Sequence, residues 1–256
     1  MSGAGTVLVE DRGAVRVLSL SRGRANALAP DLIQDLLSAL VAAREDAAVR
    51  ALVLTSASPK IFSAGLDLAL LAAAEADVFT RFVDGLEEVL LTAFELPKPF
   101  VGALTGHAIA GGALLAAPCD LRVAAEGPGT FGLPEVTLGV KVPRTALHVA
   151  RATWGERAAS RLALTGVSVP FAEAQALGAI DAIVSPDLLL DEAVSRAAAL
   201  GALPPGAFAA IKRDLRGDTS TRLRAESSAN RAAFVASWTS EEGRAGLAAA
   251  LSKLKG

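Results

Sequence analysis

"HAIAGGALLAAPCDL", residues 107–121, sets a glycine pair inside an apolar run that stops at an aspartate. On its left, "FVGALTG" (100–106) has the pattern of a buried strand; on its right, "DLRVAA" (120–125) has it again. A short helix between two such strands is a crossover, and crossovers join parallel strands. Gly111 and Gly112 follow a strand and a loop and open that helix. One reading is close packing, with another backbone passing where a side chain would stand. The other starts from the first amides of a helix, which lack internal partners and point outward. The helix dipole adds positive potential there, so a developing oxyanion would be stabilised.

Working outward, the same alternation recurs. "TVLVE" and "AVRVLSL" flank the turn "DRG" and read as a hairpin. "PDLIQDLLSALVAARED" (30–46) carries apolar residues at 32, 33, 36, 37, 40 and 41, one helical stripe. "RALVLTS" reads as a strand and "ASPKIFSAG" as a loop. A helix-prone stretch runs from about Asp67 to Phe94, where "LPKP" cuts it off. Beyond Pro143 the pattern is mostly helical, interrupted by "AIDAIVS". From about Leu203 it is helix upon helix: "PPGAFAAIKRDL", "TRLRAESSANRAAFVASW" and "SEEGRAGLAAALSKLK", the last opened by Ser240 with two acids behind it. The expected class is α/β, with residues 1–200 as an α/β core and 201–256 as a helical C-terminal region.

Composition narrows the function classes. A net charge of −2 gives no reason to expect nucleic acid as a partner. Cys119 is the single cysteine, which rules out an internal disulfide and fits a reducing, cytoplasmic setting. With two histidines and one cysteine the chain is too poor for a His/Cys metal cage. "MSGAGTVLVED" lacks a basic segment followed by an apolar one, so no secretory signal is expected. The charge-free run 99–119 is long enough for a membrane span, but its glycines and Pro118 favour strand, loop and buried helix. No Walker loop, dinucleotide fingerprint or G-x-S-x-G elbow occurs.

"FSAGLDL" (62–68) is a second glycine loop entering a helix. Read plainly, Asp67 is a first-turn acid; read functionally, Leu66 donates its backbone N–H to the same oxygen as Gly111. Glu135 lies in "TFGLPEVTLGV". A glutamate is usually a solvated charge, but in so apolar a setting partial burial would raise its pKa toward a general base's working range. His107 and His148 are acid/base candidates whose plainer reading is packing. Cys119 reads as a small buried hydrophobe, and Asp120 as a residue that orients backbone between helix and strand. Ser63 with His107 would make a hydrolase pair, without an elbow to present the serine.

Together these stretches resemble the crotonase family, the enoyl-CoA hydratase/isomerase superfamily: "RANAL" (24–28), "FSAGLDL", "GHAIAGGALLAAPCDLRVAA", "FGLPEVTLG", then "ALTG" (163–166) and "AEAQALGAIDAIV". The resemblance implies a crotonase (ClpP-like) spiral of ββα units with a helical C-terminal trimerisation region, assembling as a homotrimer or hexamer. It implies an acyl-CoA thioester substrate in fatty acid metabolism, no metal and no cofactor beyond the coenzyme A of the substrate, and neither nucleic acid nor membrane as partner. Leu66 and Gly111 match the two donors that hold the thioester oxygen, and Glu135 matches a catalytic glutamate. Substrate contacts fall on Ala25, Ala64, Gly65, Leu66, Asp67, Leu68 and Gly111. Arg22, Arg24 and Lys60 are candidates for the coenzyme A phosphates, each with solvated charge as the plainer reading.

Family hydratases carry a second glutamate on the helix after the glycines, and this chain has Leu114 there. A single glutamate suits a Δ3,Δ2-enoyl-CoA isomerase of the mitochondrial type, which the wording "AGGALLAAPCD" also resembles. One departure is Pro134, where the isomerases usually read asparagine and hydratases proline. The other readings are a hydratase or another crotonase-type lyase, and a non-catalytic acyl-CoA-binding homologue.

Overall fold

A computed structural model describes residues 6–255; residues 1–5, on which the leader reading falls, and Gly256 lie outside it. The hairpin forms from β1 (Val7–Arg12) and β2 (Val15–Leu20), paired antiparallel with Val7 opposite Leu20. Helix α1 (Pro30–Glu45) has proline in its first turn and buries Leu32, Ile33, Leu36 and Leu40; Val41, expected on the same stripe, is exposed. Next come β3 (Ala51–Ser56), β4 (Ile61–Ser63), α2 (Leu68–Ala72) and α3 (Ala76–Phe94). Strands β5 (Phe100–Leu104) and β6 (His107–Ile109) lead into α4 (Gly111–Ala116), then β7 (Leu121–Ala125) and β8 (Thr130–Gly132). A 3-10 turn (Pro134–Leu138) precedes α5 (Arg144–Trp154), α6 (Glu156–Thr165), β9 (Ser168–Pro170) and α7 (Phe171–Ala176). Strand β10 (Ala182–Val184), α8 (Leu189–Gly201), α9 (Pro205–Thr239) and α10 (Glu241–Lys255) follow.

Two sheets result, one ordered β1-β2-β3-β5-β7-β10 and a smaller one ordered β4-β6-β8-β9. Consecutive units, β3 with β4, β5 with β6 and β7 with β8, each place one strand in the larger sheet and one in the smaller. From β2 to β7 the neighbours in the larger sheet run parallel, as do β4, β6 and β8 in the smaller. This is the expected spiral of ββα units. Both faces of β3 are covered, which explains its unbroken apolar run. Leu52 and Leu54 join the core that includes α1 and α3, while Ala51 and Val53 pack with Leu189, Ala193 and Ala197 of α8.

Three expectations need correction. The loop 57–65 contains β4, too short to show an alternation. The helix-prone stretch 67–94 is two helices, because Glu75 adopts an extended conformation between α2 and α3. No glycine or proline marks that break; it lets α2 leave the Leu66 loop in one direction while α3 packs on α1. The segments 204–215 and 221–238 are one continuous 35-residue helix, α9. Glycine in an exposed helix interior costs only about 1 kcal/mol, so Gly217 does not end it.

Tertiary anchors hold α9 down. Lys212 and Arg216 reach Asp120 at 2.7 and 2.8 Å, and Phe234 and Trp238 stack with Phe79 of α3. Ser240 caps α10 as read, accepting the Gly243 N–H at 3.0 Å. Among the described residues no single helix is long and apolar enough to cross a bilayer.

Candidate active site

Three parallel strands of the smaller sheet end side by side, and each hands over to one part of the site. The register sets Ser63 of β4 beside Ala108 of β6, and Ala108 beside Phe131 of β8. Leu66, Gly111 and Glu135 each follow one of these strand ends by a few residues. Space beyond the carboxyl ends of parallel strands is where α/β folds bind ligands.

A neighbouring segment orients the first donor. The Leu28 N–H donates to Gly65 O at 2.7 Å and the Asp67 N–H donates to Leu28 O at 2.9 Å, a one-residue parallel bridge between Leu28 and Leu66. In a trans peptide the C=O and N–H point in opposite directions. With Gly65 O turned to Leu28, the Leu66 N–H faces away from it, and it has no hydrogen-bond partner among the described residues. Adjacent amides are occupied: Gly65 N–H donates to Ser63 Oγ, which itself donates to Asn26 O, and Ala64 N–H donates to Ala25 O. Asn26, buried and left-handed at φ 44°, fastens this segment by donating to Ser56 Oγ and Phe62 O.

Chain geometry at Ala110 aims the second donor. Ala110 adopts φ 53° and ψ −126° although it is not glycine. Such conformations cost about 1–3 kcal/mol and persist only where the surroundings hold them. Here the Ala110 N–H donates to Gly132 O at 2.9 Å and its carbonyl accepts the Leu114 N–H at 3.1 Å. The Gly111 N–H therefore leaves the start of α4 without a partner among the described residues. A Cβ added to Gly65, at φ +90°, would lie 3.1 Å from the Gly111 nitrogen, so the two loops touch. One added to Gly112 would lie 2.1 Å from Ser63 O. The two glycines thus differ in setting: Gly112 admits a passing backbone, and the Gly111 N–H has no partner among the described residues.

Glu135 sits in the 3-10 turn with 7% of its surface exposed, the only buried carboxylate among the described residues. Its Oε2 has no hydrogen-bond partner among the described residues. Burial pushes its pKa up to about 7, against a smaller opposing effect from its own backbone N–H. A carboxylate in that range accepts a proton at neutral pH and can give it back. Leu114, where a second acid would stand, is buried in the hydrophobic core.

Other candidates take structural roles. Ser63 Oγ is engaged with Asn26 O, and the His107 ring hydrogen-bonds Thr130 Oγ1 at 2.9 Å, so the hydrolase pair does not form. His148 lies on α5 beside Arg222. Cys119 is fully buried, and burial pushes its thiol up to about 12. Asp120 orients backbone as read, accepting the Phe100 N–H, and also anchors α9. Arg22 is not a solvated charge: its guanidinium is held by Asp31 and Asp67. Arg24 and Lys60 are exposed and form no ion pair among the described residues. No group of three or more potential metal-ligating His, Cys, Asp or Glu residues occurs there. Sequence reasoning missed Ser63, Asn26 and the Leu28 backbone as the parts that orient Leu66; "RANAL" marked the segment but not its work.

A cavity of about 350 Å³ adjoins α2, lined by Leu71, Phe79, Val235, Trp238 and Leu247. Helix α10 forms one of its walls and also packs on the turn that carries Glu135.

A family model described as "Enoyl-CoA hydratase/isomerase" matches residues 10–256. The chain is 36% identical to a Rhizobium meliloti (strain 1021) protein named "Probable enoyl-CoA hydratase", covering 98% of this chain and 96% of that one. It is 32% identical to the human mitochondrial enoyl-CoA delta isomerase 1, over 91% of this chain and 78% of the relative. The crystal structure of human mitochondrial Δ3,Δ2-enoyl-CoA isomerase superposes with a TM-score of 0.93 at 30% identity, covering 98% of both chains.

Proposed function

Because the chain belongs to the enoyl-CoA hydratase/isomerase family, we propose that it moves the double bond of a 3-enoyl-CoA to C2, with Glu135 as the sole proton carrier. The observation that carries this reading is the buried carboxylate of Glu135, whose Oε2 has no partner among the described residues, with apolar Leu114 where a second acid would stand. The carboxylate takes a proton from C2, and the electron pair spreads over C2, C3, C4 and the thioester oxygen. The N–H groups of Leu66 and Gly111 donate to that oxygen; losing one such donor typically costs about 2.7–4 kcal/mol of barrier. Glu135 then returns the proton to C4. The step is redox-neutral and calls for no redox cofactor, and the two N–H groups supply the stabilisation of the thioester oxygen that a metal would otherwise give.

Coenzyme A runs along Ala25 and residues 64–68, with Arg24 and Lys60 free to meet its phosphates. The acyl tail enters the cavity beside α2. On α9, Ile211 and Leu215 are 62% and 78% exposed, an apolar face suited to a homotrimer or a hexamer built from two of them. With a single cysteine, and so no internal disulfide, the protein suits a reducing, cytoplasmic setting.

The test is a panel of 3-enoyl and 2-enoyl thioesters of varied length, followed by the ultraviolet absorbance of the conjugated enoyl product. The proposal expects absorbance to grow on the 3-enoyl substrates and to change little on the 2-enoyl ones. Pro134 and the name of the Rhizobium relative favour a second reading, hydration. Under it, absorbance falls on the 2-enoyl substrates. Binding without turnover on either series identifies a non-catalytic acyl-CoA-binding homologue.

A further inference from the structure

The bridge that aims the Leu66 N–H is one residue long and consists of two hydrogen bonds. On one side lies Gly65 at φ +90°, on the other the five-residue helix α2. So short a bridge, unsupported by a strand, would not hold a donor still. Arg22 spans it. Its Nη1 donates to Ala27 O at 3.1 Å and to Asp67 Oδ2 at 3.0 Å, the residue before Leu28 and the residue after Leu66. Its Nε donates to both oxygens of Asp31, at 2.9 and 3.0 Å, which fixes the guanidinium plane. The Arg22 backbone N–H donates to Asn26 Oδ1 at 2.8 Å, so the residue is held at both ends.

Asp67 is held as tightly. Its Oδ1 accepts the Leu70 N–H that starts α2, and its own N–H closes the bridge to Leu28. Among the described residues, Arg22 is the only cation in ion-pair contact with it. About a fifth of each side chain is exposed, so the pair is partly shielded from water. Lysine could keep the charge but not the fork that spans carbonyl and carboxylate together.

We propose that Arg22 is a positioning residue for the Leu66 N–H, acting through Asp67; this rests on the reading of Leu66 as an oxyanion donor. The experiment follows the carbonyl stretch of a carbonyl-13C-labelled acyl-CoA thioester bound to the enzyme, by infrared difference spectroscopy. It is run in a Glu135→Gln background so that nothing turns over. A carbonyl held by two N–H donors absorbs at lower frequency than in water. Arg22→Met is expected to lose most of that red shift while the thioester still binds.

In the Glu135 enzyme the same substitution lowers kcat by about ten- to a hundredfold with KM little changed. Asp67→Asn gives a similar loss, the double variant adds little to either single one, and Arg22→Lys recovers part of it. Should Arg22→Met, Arg22→Lys and Asp67→Asn keep the full red shift and kcat and lower only the melting temperature, Arg22 is a strut and the proposal is overturned. A rise in KM at constant kcat also overturns it, placing Arg22 on the ligand. No red shift in the Glu135→Gln parent refutes the Leu66 donor itself and, with it, the positioning role of Arg22.

Discussion

Asp120, between α4 and β7, accepts from Lys212 at 2.7 Å, from Arg216 at 2.8 Å and from the Phe100 N–H at 2.8 Å. Glu135, beyond β8, is withdrawn further from water, yet among the described residues its Oε2 meets no donor and no ion pair reaches it. Both are carboxylates of one chain, and their surroundings divide the labour. Around Asp120, paired charges tie a 35-residue helix to the sheet. Around Glu135, the lack of compensation keeps the group basic, and burial holds its pKa near 7. Anchoring calls for a satisfied carboxylate; proton transfer calls for one left unsatisfied.

The largest expected effect tests the unsatisfied side. Glu135→Gln should lower kcat by about 10²–10⁴-fold in the absorbance assay, with acyl-CoA affinity little changed. Turnover at the wild-type rate would break the comparison outright. Next in size, Asp120→Ala leaves Lys212 and Arg216 buried without their counter-charge. Urea titration should show about 3–5 kcal/mol less stability, while turnover per folded molecule is kept. A loss of turnover with stability intact would mean that Asp120 is no mere anchor.

The pH profile sharpens the contrast further. Under the proposed isomerisation Glu135 must be ionised to take the C2 proton, and its pKa is raised to about 7. Activity should therefore rise with pH through about 7 and level off above it. A plateau extending down to pH 5 would belong to an ordinary solvated carboxylate.

The smallest effect is on stability. The folded pKa of Glu135 lies above its unfolded value of 4.5. Its contribution is thus complete below 4.5 and lost as pH rises through 7, because above 7 folding buries a charge. Glu135→Gln escapes that cost, so the variant should gain about 1–3 kcal/mol over wild type at pH 8 and little at pH 4. Thermal melts at the two pH values check this.

Much of the fold was legible because it is written in short-range patterns. The apolar stripe of α1, the unbroken run of β3 and the Ser240 cap each follow from side chains a few residues apart. Strand β4 was hidden because three residues cannot show an alternation. The break at Glu75 was hidden because its cause is the direction in which two helices must pack, not a breaker in the chain. In the site, residue types pointed to Glu135 and to the glycine pair. Nothing local showed that Ala25, Ser63 and Leu28 would take up the amides of Ala64, Gly65 and Asp67 and leave that of Leu66 without a partner among the described residues.

By itself, then, the sequence determined the alternation of strand and helix, the single acid in an apolar loop and the leucine where its partner would be. Only the tertiary structure decided which amides stay free, that Arg22 faces Asp67 instead of solvent, and that Asp120 is paired while Glu135 is not. Periodicity is a property of neighbours along the chain. Hydrogen-bond satisfaction and desolvation depend on segments distant in sequence, and exist only once those segments have met.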